Sequence, residues 1–261
     1  MHGLGNDFVV IDARNEAVEM SRQRAHAIAD RRTGIGCDQL ILLEPSTIAD
    51  VRMRIFNADG GEVGACGNAT RCVATLLGKP AQIETIAGIL ETRPQDNSAT
   101  VLLNPPAFDW ESIPLAIPMD TTDMPVAWEE LERPIAVNVG NPHVIFFVAD
   151  TDAVDLERLG PVIETDALFP EKINVNVATI IDERNIRLRV WERGAGLTLA
   201  CGTGACATAV AAIRSGRAQS PVTVHLPGGD LIIGWQDGGP IEMEGAATHV
   251  FSGTADWSLF G

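Results

Sequence analysis

The chain has few basic residues. Among its 261 residues, 19 lysines and arginines stand against 35 aspartates and glutamates, which gives a formal net charge of −16. Proteins that bind nucleic acid or dock on anionic lipid carry the opposite charge on their binding surface. We therefore expect neither nucleic acid nor a membrane among the partners of this protein.

Cysteine is also scarce, and no two cysteines form a C-x-x-C pair. The five cysteines lie at positions 37, 66, 72, 201 and 206. This odd number, at these spacings and in a chain of this length, argues against a disulfide framework and against a cysteine-paired zinc site. We expect reduced thiols, a cytoplasmic location and no bound metal.

The sequence offers no convincing targeting or membrane segment. The N-terminal MHGLGNDFVVID lacks a basic region followed by a long apolar core, so we expect no signal peptide. The uncharged run Gly194–Ile213 contains four glycines and three threonines, which makes it too small and too polar for a membrane span. A glycine-containing loop followed by a buried helix fits this run better.

One local sequence occurs twice, with its cysteine in the same register. RIFNADGGEVGACGN (54–68) aligns without a gap on RVWERGAGLTLACGT (189–203), so that Cys66 matches Cys201 and five of the fifteen pairs are identical. The same offset of 135 positions pairs Gly5-Asn6 with Gly140-Asn141 and Gln39 with Asn174. We infer two similar halves, each offering a thiol and a set of amides to one ligand.

An apolar helix is predicted after each cysteine, over 68–77 and 203–213. A helix that is apolar on nearly all faces has to be enclosed by the rest of its domain. Short strands predicted around both helices supply that enclosure, and the proline-rich stretch 104–118 separates the halves. We predict an α+β fold of two pseudo-symmetric domains, each a curved mixed β-sheet wrapped around a central helix.

A cysteine at the start of a helix lies beside unpaired backbone N–H groups and the positive end of the helix dipole. This environment predicts a lowered thiol pKa and a place for a substrate carboxylate. Two such thiols on either side of one α-carbon suit removal of a proton from one face and its return to the other. The alternative is that both cysteines are small buried apolar residues, but their matched positions before Gly67 and Gly202 favour catalysis.

Several motifs spread over both halves resemble one family. They are HGLGNDF (2–8), GIGCDQ (34–39), FNADGGEVGACGNATR (56–71), GNPH (140–143), INVN (173–176), WERGAGLTLACGTGACA (191–207) and HVFSG (249–253). In order and content they resemble diaminopimelate epimerases. The resemblance implies cofactor-independent interconversion of LL- and meso-2,6-diaminopimelate, in the route to lysine and peptidoglycan, by a homodimeric isomerase. It also implies domains over 1–107 and 108–249, with a C-terminal strand, 250–261, returning to the first.

The resemblance assigns roles position by position. The acid/base pair is Cys66 and Cys201, and His143 and Glu192 are expected to tune the pKa values of these thiols. The expected substrate-binding residues are Asn6, Gln39, Asn57, Gly67, Asn68, Asn141, Asn174, Glu192, Arg193, Gly202 and Thr203. The residue chemistry agrees independently. A substrate that is zwitterionic at both ends needs hydrogen-bond donors to its carboxylates, such as Arg193, and acceptors for its ammonium groups, such as Glu192.

Two other interpretations remain open at this point. Proline racemase-like and hydroxyproline epimerase-like enzymes also use two thiols, but a substrate with one carboxylate does not require the Glu192-Arg193 pair. From a different class, a non-catalytic thiol redox or binding module would retain the cysteines without the reaction.

Overall fold

The structure is a computed structural model, and it describes residues 1–260. The chain divides into two compact units: unit 1 is Met1–Val101 together with the C-terminal segment from Gly245, and unit 2 is Leu102–Glu244. Both boundaries between the units lie a few residues earlier than the predicted ones, which follow residues 107 and 249. The predicted strand over 250–261 is wrong for residues 250–260, which contain no strand and end in the 3-10 helix Trp257–Phe260. The last residue of that prediction, Gly261, lies outside the described residues.

Unit 1 contains eight strands and two helices. The strands are β1 His2–Gly3, β2 Asn6–Asp12, β3 Gln39–Glu44, β4 Val51–Asn57, β5 Glu62–Val63, β6 Ala81–Thr85, β7 Gly88–Pro94 and β8 Ser98–Leu103, and the helices are α1 Arg22–Ala29 and α2 Gly67–Leu77. The strand order is β1-β2-β3-β4-β6-β7-β8, with β5 paired to β4. The last of these strands, β8, continues past the boundary of the unit.

Unit 2 repeats this plan with insertions. Its strands are β9 Ala127–Trp128, β10 Leu131–Glu132, β11 Ile135–Asn138, β12 Pro142–Phe147, β13 Asn174–Asp182, β14 Asn185–Glu192, β15 Gly196–Thr198, β16 Val222–Leu226, β17 Gly229–Trp235 and β18 Ile241–Ala246. Its helices are α3 Leu156–Glu164 and α4 Gly202–Arg214. The strand order is β18-β17-β16-β14-β13-β12-β11, with β15 paired to β14 and β9 paired only to β10.

The two units agree in strand direction and in register. The pairs β2/β3 and β4/β6 are parallel in unit 1, as are β12/β13 and β14/β16 in unit 2. Phe8 lies opposite Gln39, and His143 lies opposite Asn174 at the same 135-residue offset. Because register determines which side chains share a face of a sheet, the repeat found in the sequence is also a repeat of backbone geometry.

Each central helix is enclosed within its own unit. All residues of α2 from Asn68 to Ala74 are buried, and Gly78 ends this helix in the left-handed conformation, with φ of 66°. In unit 2, α4 contacts strands β11, β12, β13, β14, β16 and β17, and is buried from Gly204 to Ala212. The predicted α+β class, a curved mixed sheet around a central helix, is confirmed. Within residues 1–260 no helix combines the length and apolarity needed to cross a membrane.

Two elements near the functional residues were not predicted. Strand β3 is a continuous apolar run whose Ile41 and Leu43 face α2 while Leu40 and Leu42 face α1. It therefore lacks the alternation that marks a half-buried strand. Helix α3 contains Gly160-Pro161, a pair that usually interrupts helices.

Candidate active site

Cys66 and Cys201 occupy the same position in the two units, as the N-cap residues of α2 and α4. Both have extended backbones, with φ and ψ of −151° and 111° at Cys66 and −126° and 108° at Cys201. Each N-cap carbonyl accepts the first helical hydrogen bond, from Thr70 N–H at 2.9 Å and from Ala205 N–H at 3.0 Å. The next two residues of each helix, Gly67-Asn68 and Gly202-Thr203, contribute N–H groups that have no partner within the helix.

Cys201 is buried and has polar partners in its own helix start. Its Sγ accepts a hydrogen bond from the Gly204 N–H at 3.4 Å and lies 3.6 Å from Thr203 Oγ1. Burial raises the pKa of this thiol above its ordinary range, and the negative charge of Glu192 raises it further. The expected lowering of the pKa is therefore wrong for Cys201, because the loss of solvation outweighs the helix start.

Cys66 is half-buried and faces a different set of groups. Its Sγ lies 3.8 Å from Asn6 Oδ1, and the same oxygen accepts a hydrogen bond from Asn68 Nδ2 at 3.4 Å. Asn68 in turn accepts from Arg71 Nη2 at 2.7 Å. Two of the predicted substrate-binding residues, Asn6 and Asn68, thus lie beside the predicted catalytic thiol.

Gln39 and Asn57, which are also predicted to bind substrate, contact each other. Gln39 Nε2 donates to Asn57 Oδ1 at 2.9 Å across the antiparallel pair β3/β4. The Gln39 Oε1 atom is buried and has no hydrogen-bond partner within residues 1–260. Leaving a buried acceptor without a partner costs free energy relative to pairing it. This oxygen is therefore suited to accept a hydrogen bond from a bound ligand.

In unit 2, Asn174 holds the turn that carries Glu192 and Arg193. Its Oδ1 accepts from the Arg193 backbone N–H at 3.0 Å, while its Nδ2 donates to the Pro142 carbonyl at 2.8 Å. The Arg193 guanidinium donates to the Glu171 carbonyl at 2.9 Å. The buried amide of Asn174 therefore positions neighbouring residues, and its predicted contact with substrate stays a prediction.

Glu192 is the charged residue that acts on Cys201. Its Oε1 accepts from Thr198 Oγ1 at 2.5 Å, across the pair β14/β15. This hydrogen bond holds the carboxylate at the end of β14, where its charge opposes ionisation of the Cys201 thiol. Thr198 was not among the predicted site residues.

His143 belongs to a buried amide network and makes no hydrogen bond to either thiol among those found for residues 1–260. Its Nε2 is 3.0 Å from Asn141 Oδ1, and its Nδ1 is 3.0 Å from Asn176 Nδ2. Burial lowers the pKa of His143 to about 3, and the positive charge of Arg193 acts in the same direction. A neutral imidazole that donates from Nε2 and accepts at Nδ1 satisfies both contacts. Its proposed effect on the thiols remains a prediction.

Sequence reasoning also missed a carboxylate that supports the Glu192-Arg193 turn. Glu164 on α3 is buried, and its two oxygens accept from Trp191 Nε1 at 2.8 Å and from the Gly194 N–H at 3.0 Å. Gly160, one turn earlier, lets the Trp191 ring lie against the helix, since a Cβ there would be 2.5 Å from the ring. Without α3 in the prediction, no signal in the sequence connected Glu164 to this turn.

The donors gathered around the two cysteines are amides, backbone N–H groups and hydroxyls. Residues 1–260 contain no group of three or more His, Cys, Asp or Glu side chains placed to hold a metal ion. All five cysteines, at 37, 66, 72, 201 and 206, are free thiols. The arrangement has the parts needed for acid/base chemistry and for holding a carboxylate.

Comparison with known proteins assigns this combination to one family. The model of the diaminopimelate epimerase family matches residues 1–108 and 135–250, which covers most of both units. A diaminopimelate epimerase of Sphingopyxis alaskensis is 72% identical over 261 residues, covering 100% of this chain and 97% of the relative. One from Zymomonas mobilis is 54% identical over 261 residues, with 100% and 97% covered.

More distant structures share only the fold. A phenazine biosynthesis protein of the PhzF family from Bacillus anthracis superposes with a TM-score of 0.65 at 16% identity, covering 94% of this chain and 92% of that one. A probable proline racemase from Agrobacterium radiobacter also gives 0.65 at 16% identity, covering 94% and 88%. Because the family model and the high-identity relatives extend through both helix-start cysteines, the chain belongs to the diaminopimelate epimerase family.

Proposed function

We propose that this protein is a cofactor-independent isomerase that interconverts LL- and meso-2,6-diaminopimelate, with Cys66 and Cys201 as its acid/base pair. The observation that carries the proposal is the equivalence of the two cysteines. Each is the N-cap of a buried helix, and each is followed by glycine. Two buried apolar cysteines would have no reason to share this backbone position. The high identity to diaminopimelate epimerases supports the choice of substrate.

The reaction needs one sulfur as thiolate and the other as thiol. The thiolate takes the α-proton, and the electron pair left on the α-carbon is delocalised into the adjacent carboxylate. The second thiol then gives its own proton to the opposite face of the carbon, which inverts the centre. The enzyme ends with the two protonation states exchanged, and no atom is gained or lost.

Backbone N–H groups and side-chain amides supply the binding interactions. The N–H groups at the starts of α2 and α4, from Gly67, Asn68, Gly202 and Thr203, stabilise a carboxylate whose negative charge grows as the proton leaves. Arg193 provides a charged donor for a carboxylate, and Glu192 an acceptor for an ammonium group. The unpartnered Gln39 Oε1 is a second ammonium acceptor, and we assign Asn6, Asn57, Asn141 and Asn174 to the surrounding polar contacts.

Deuterium exchange in D₂O tests both the reaction and the substrate. The protein is incubated separately with LL-diaminopimelate and with L-proline, and loss of the α-proton signal is followed by NMR. We expect exchange and epimerisation with diaminopimelate only, unchanged after dialysis against chelator and treatment with a carbonyl reagent. Exchange of proline alone would assign the protein to the proline racemase type. A lack of exchange with either compound would contradict the two-thiol mechanism.

Location and assembly follow from the same proposal. Both thiols have to stay reduced, which a cytoplasmic compartment ensures, and the product serves lysine and peptidoglycan precursor synthesis. We also propose a homodimer, because Val250 and Phe251 expose 60% and 69% of their surface in a segment without regular structure. Light scattering of the purified protein tests this: a monomeric mass at micromolar concentration would contradict it.

A further inference from the structure

Arg71 is the largest completely buried side chain in the protein. It lies on α2 five residues after Cys66, and its Nη2 donates to Asn68 Oδ1 at 2.7 Å. Asn68 Nδ2 then donates to Asn6 Oδ1 at 3.4 Å. Gly3 lets β1 approach this part of the helix, since a Cβ there would lie 3.3 Å from the Asn68 carbonyl oxygen and 3.5 Å from Arg71 Nη2.

The chain of contacts continues beyond Asn6 to an exposed carboxylate. Asn6 Nδ2 donates to Asp38 Oδ2 at 3.1 Å. Asp38 is held in place by the Asp7 backbone N–H at 3.1 Å and by Arg31 Nη2 at 2.8 Å. Arg31 also binds both oxygens of Asp7, at 2.7 and 2.9 Å.

The residues at the two ends of this series of hydrogen bonds fix the direction in which each bond is donated. A guanidinium only donates hydrogen bonds and a carboxylate only accepts them, whereas a primary amide does both and can turn over. Arg71 therefore requires the oxygen of Asn68 to face it, and Asp38 requires the amino group of Asn6. Both ends demand the same orientation, in which Asn6 Oδ1 faces Cys66 Sγ at 3.8 Å.

We propose that Arg71 and Asp38 are positioning residues that fix the Asn6 amide and thereby hold Cys66 in its protonated form when no substrate is bound. An amide oxygen can only accept from sulfur, so this contact exists for the thiol and is lost for the thiolate. The inference rests on the proposed function for its meaning: in the free protein Cys66 is then a thiol, like the buried Cys201, and the thiolate that removes the α-proton forms once substrate is bound.

Several charged and titratable groups lie near Cys66 or its neighbours. The charged and titratable groups that face it or its neighbours are Arg71 and Cys72 on α2, the Met1 ammonium before β1, and the Asp7, Asp38 and Arg31 cluster beyond Asn6. The positive charges favour a thiolate, so the amide orientation works against them. A test must therefore separate the direction of the Asn6 amide from the removal of a charge.

Asp38 and Asp7 provide the matched variants. In Asp38→Asn this end of the hydrogen-bond chain can donate as well as accept, so only Asn68, held by Arg71, still favours the orientation in which Asn6 Oδ1 faces Cys66. Asp38→Glu keeps an acceptor at the same place. Asp7→Asn removes one negative charge from the same cluster but leaves the contact between Asn6 and Asp38.

The measurement is the rate at which iodoacetamide alkylates each cysteine from neutral to alkaline pH, with the peptides quantified by mass spectrometry. In Asp38→Asn we expect Cys66 to react about threefold to tenfold faster at neutral pH, the size of one net hydrogen bond. Cys201 in the same molecules, and Cys66 in Asp38→Glu and Asp7→Asn, should keep rates close to those of the wild type.

An unchanged Cys66 rate in Asp38→Asn would overturn the proposal, and so would an equal acceleration in Asp7→Asn. Faster reaction of both Cys66 and Cys201 with a lower melting temperature would show loosening of the fold and would also overturn it. Because alkylation requires no substrate, the result is independent of epimerase activity. An active epimerase with unchanged alkylation rejects only this inference, and an inactive protein with the expected rates rejects only the proposed function.

Discussion

Cys66 and Cys201 share a backbone position but have different surroundings. At the 135-residue offset, Phe8 and Ile41 behind α2 correspond to His143 and Asn176 behind α4. Conversely, the buried Arg71 of α2 corresponds to Cys206 of α4. At these positions, the buried polar residue of unit 1 lies in the helix, as Arg71, whereas those of unit 2 lie in the sheet, as His143 and Asn176. The duplicated fold repeats the geometry of the cysteines, and the residues behind them set the chemistry of each thiol.

The proposed mechanism requires both cysteines despite this difference. We expect Cys66→Ser and Cys201→Ser each to reduce kcat for epimerisation by about a thousandfold or more, because a hydroxyl ionises far less readily than a thiol. Substrate should still bind, because the carboxylate is held mainly by backbone N–H groups. Proton NMR gives the rates, and melting temperatures verify folding. Normal turnover by either variant would restrict the reaction to one thiol.

His143 tests the polar core behind Cys201, because His143→Phe gives unit 2 the residue that unit 1 has at Phe8. The pKa of His143 falls from 6.5 to about 3 on burial. Between these values the unfolded chain binds a proton that the folded protein does not, so the wild type loses stability as the pH falls. The full contribution, reached only below about pH 3, is at most about 5 kcal/mol, and it is absent in His143→Phe.

At neutral pH the His143→Phe variant should be less stable than the wild type, since Asn141 and Asn176 lose their partner. The difference should narrow as the pH is lowered from about 6.5 toward 4. Urea unfolding at a series of pH values measures it. A difference that stays constant with pH would mean that His143 is not held neutral in the folded protein.

The same difference between the units determines which residue fits at one helix position. Where α2 has Ala69, α4 has Gly204. A Cβ at Gly204 would lie 2.8 Å from Asn176 Oδ1 and 3.1 Å from Val190 Cγ2. Gly204→Ala should therefore destabilise the protein by about 2 kcal/mol, despite the better helix propensity of alanine. Gly202→Ala, whose Cβ meets only the flexible Met243 side chain, is the control and should cost less. Equal losses in thermal unfolding would contradict this account.

The sequence predicted those elements whose signals are local. Both central helices and the cysteine at the start of each follow from continuous apolar runs and from the glycine after each cysteine. Strand β3 and helix α3 were missed because β3 is buried on both faces and α3 contains Gly160-Pro161. Glu164 and Arg71 owe their importance to partners that only the folded chain brings near. The raised pKa of Cys201 depends on burial, which outweighed the local effect of the helix start.

Substitution of Glu192 has the smallest expected effect, and it should change the pKa of one thiol only. Its carboxylate, held by Thr198, contributes to the raised pKa of Cys201 after burial itself. Glu192→Gln removes this charge and should lower that pKa, so that more thiolate is present at neutral pH. We expect iodoacetamide to alkylate Cys201 about fivefold to tenfold faster than in the wild type, a change of about 1 kcal/mol. Cys66, which faces the Asn6 amide, should react at its wild-type rate.

Glu183→Gln provides the charge control, since Glu183 lies on the exposed turn before β14 and binds Gln219. It should leave both alkylation rates unchanged. Faster reaction of Cys201 in both variants would point to the net charge of the protein, whereas faster reaction of both cysteines in Glu192→Gln would point to a loosened fold. A selective change at Cys201 would establish that the two thiols, equivalent in backbone, are tuned by different groups: Glu192 in unit 2 and the Asn6 amide in unit 1.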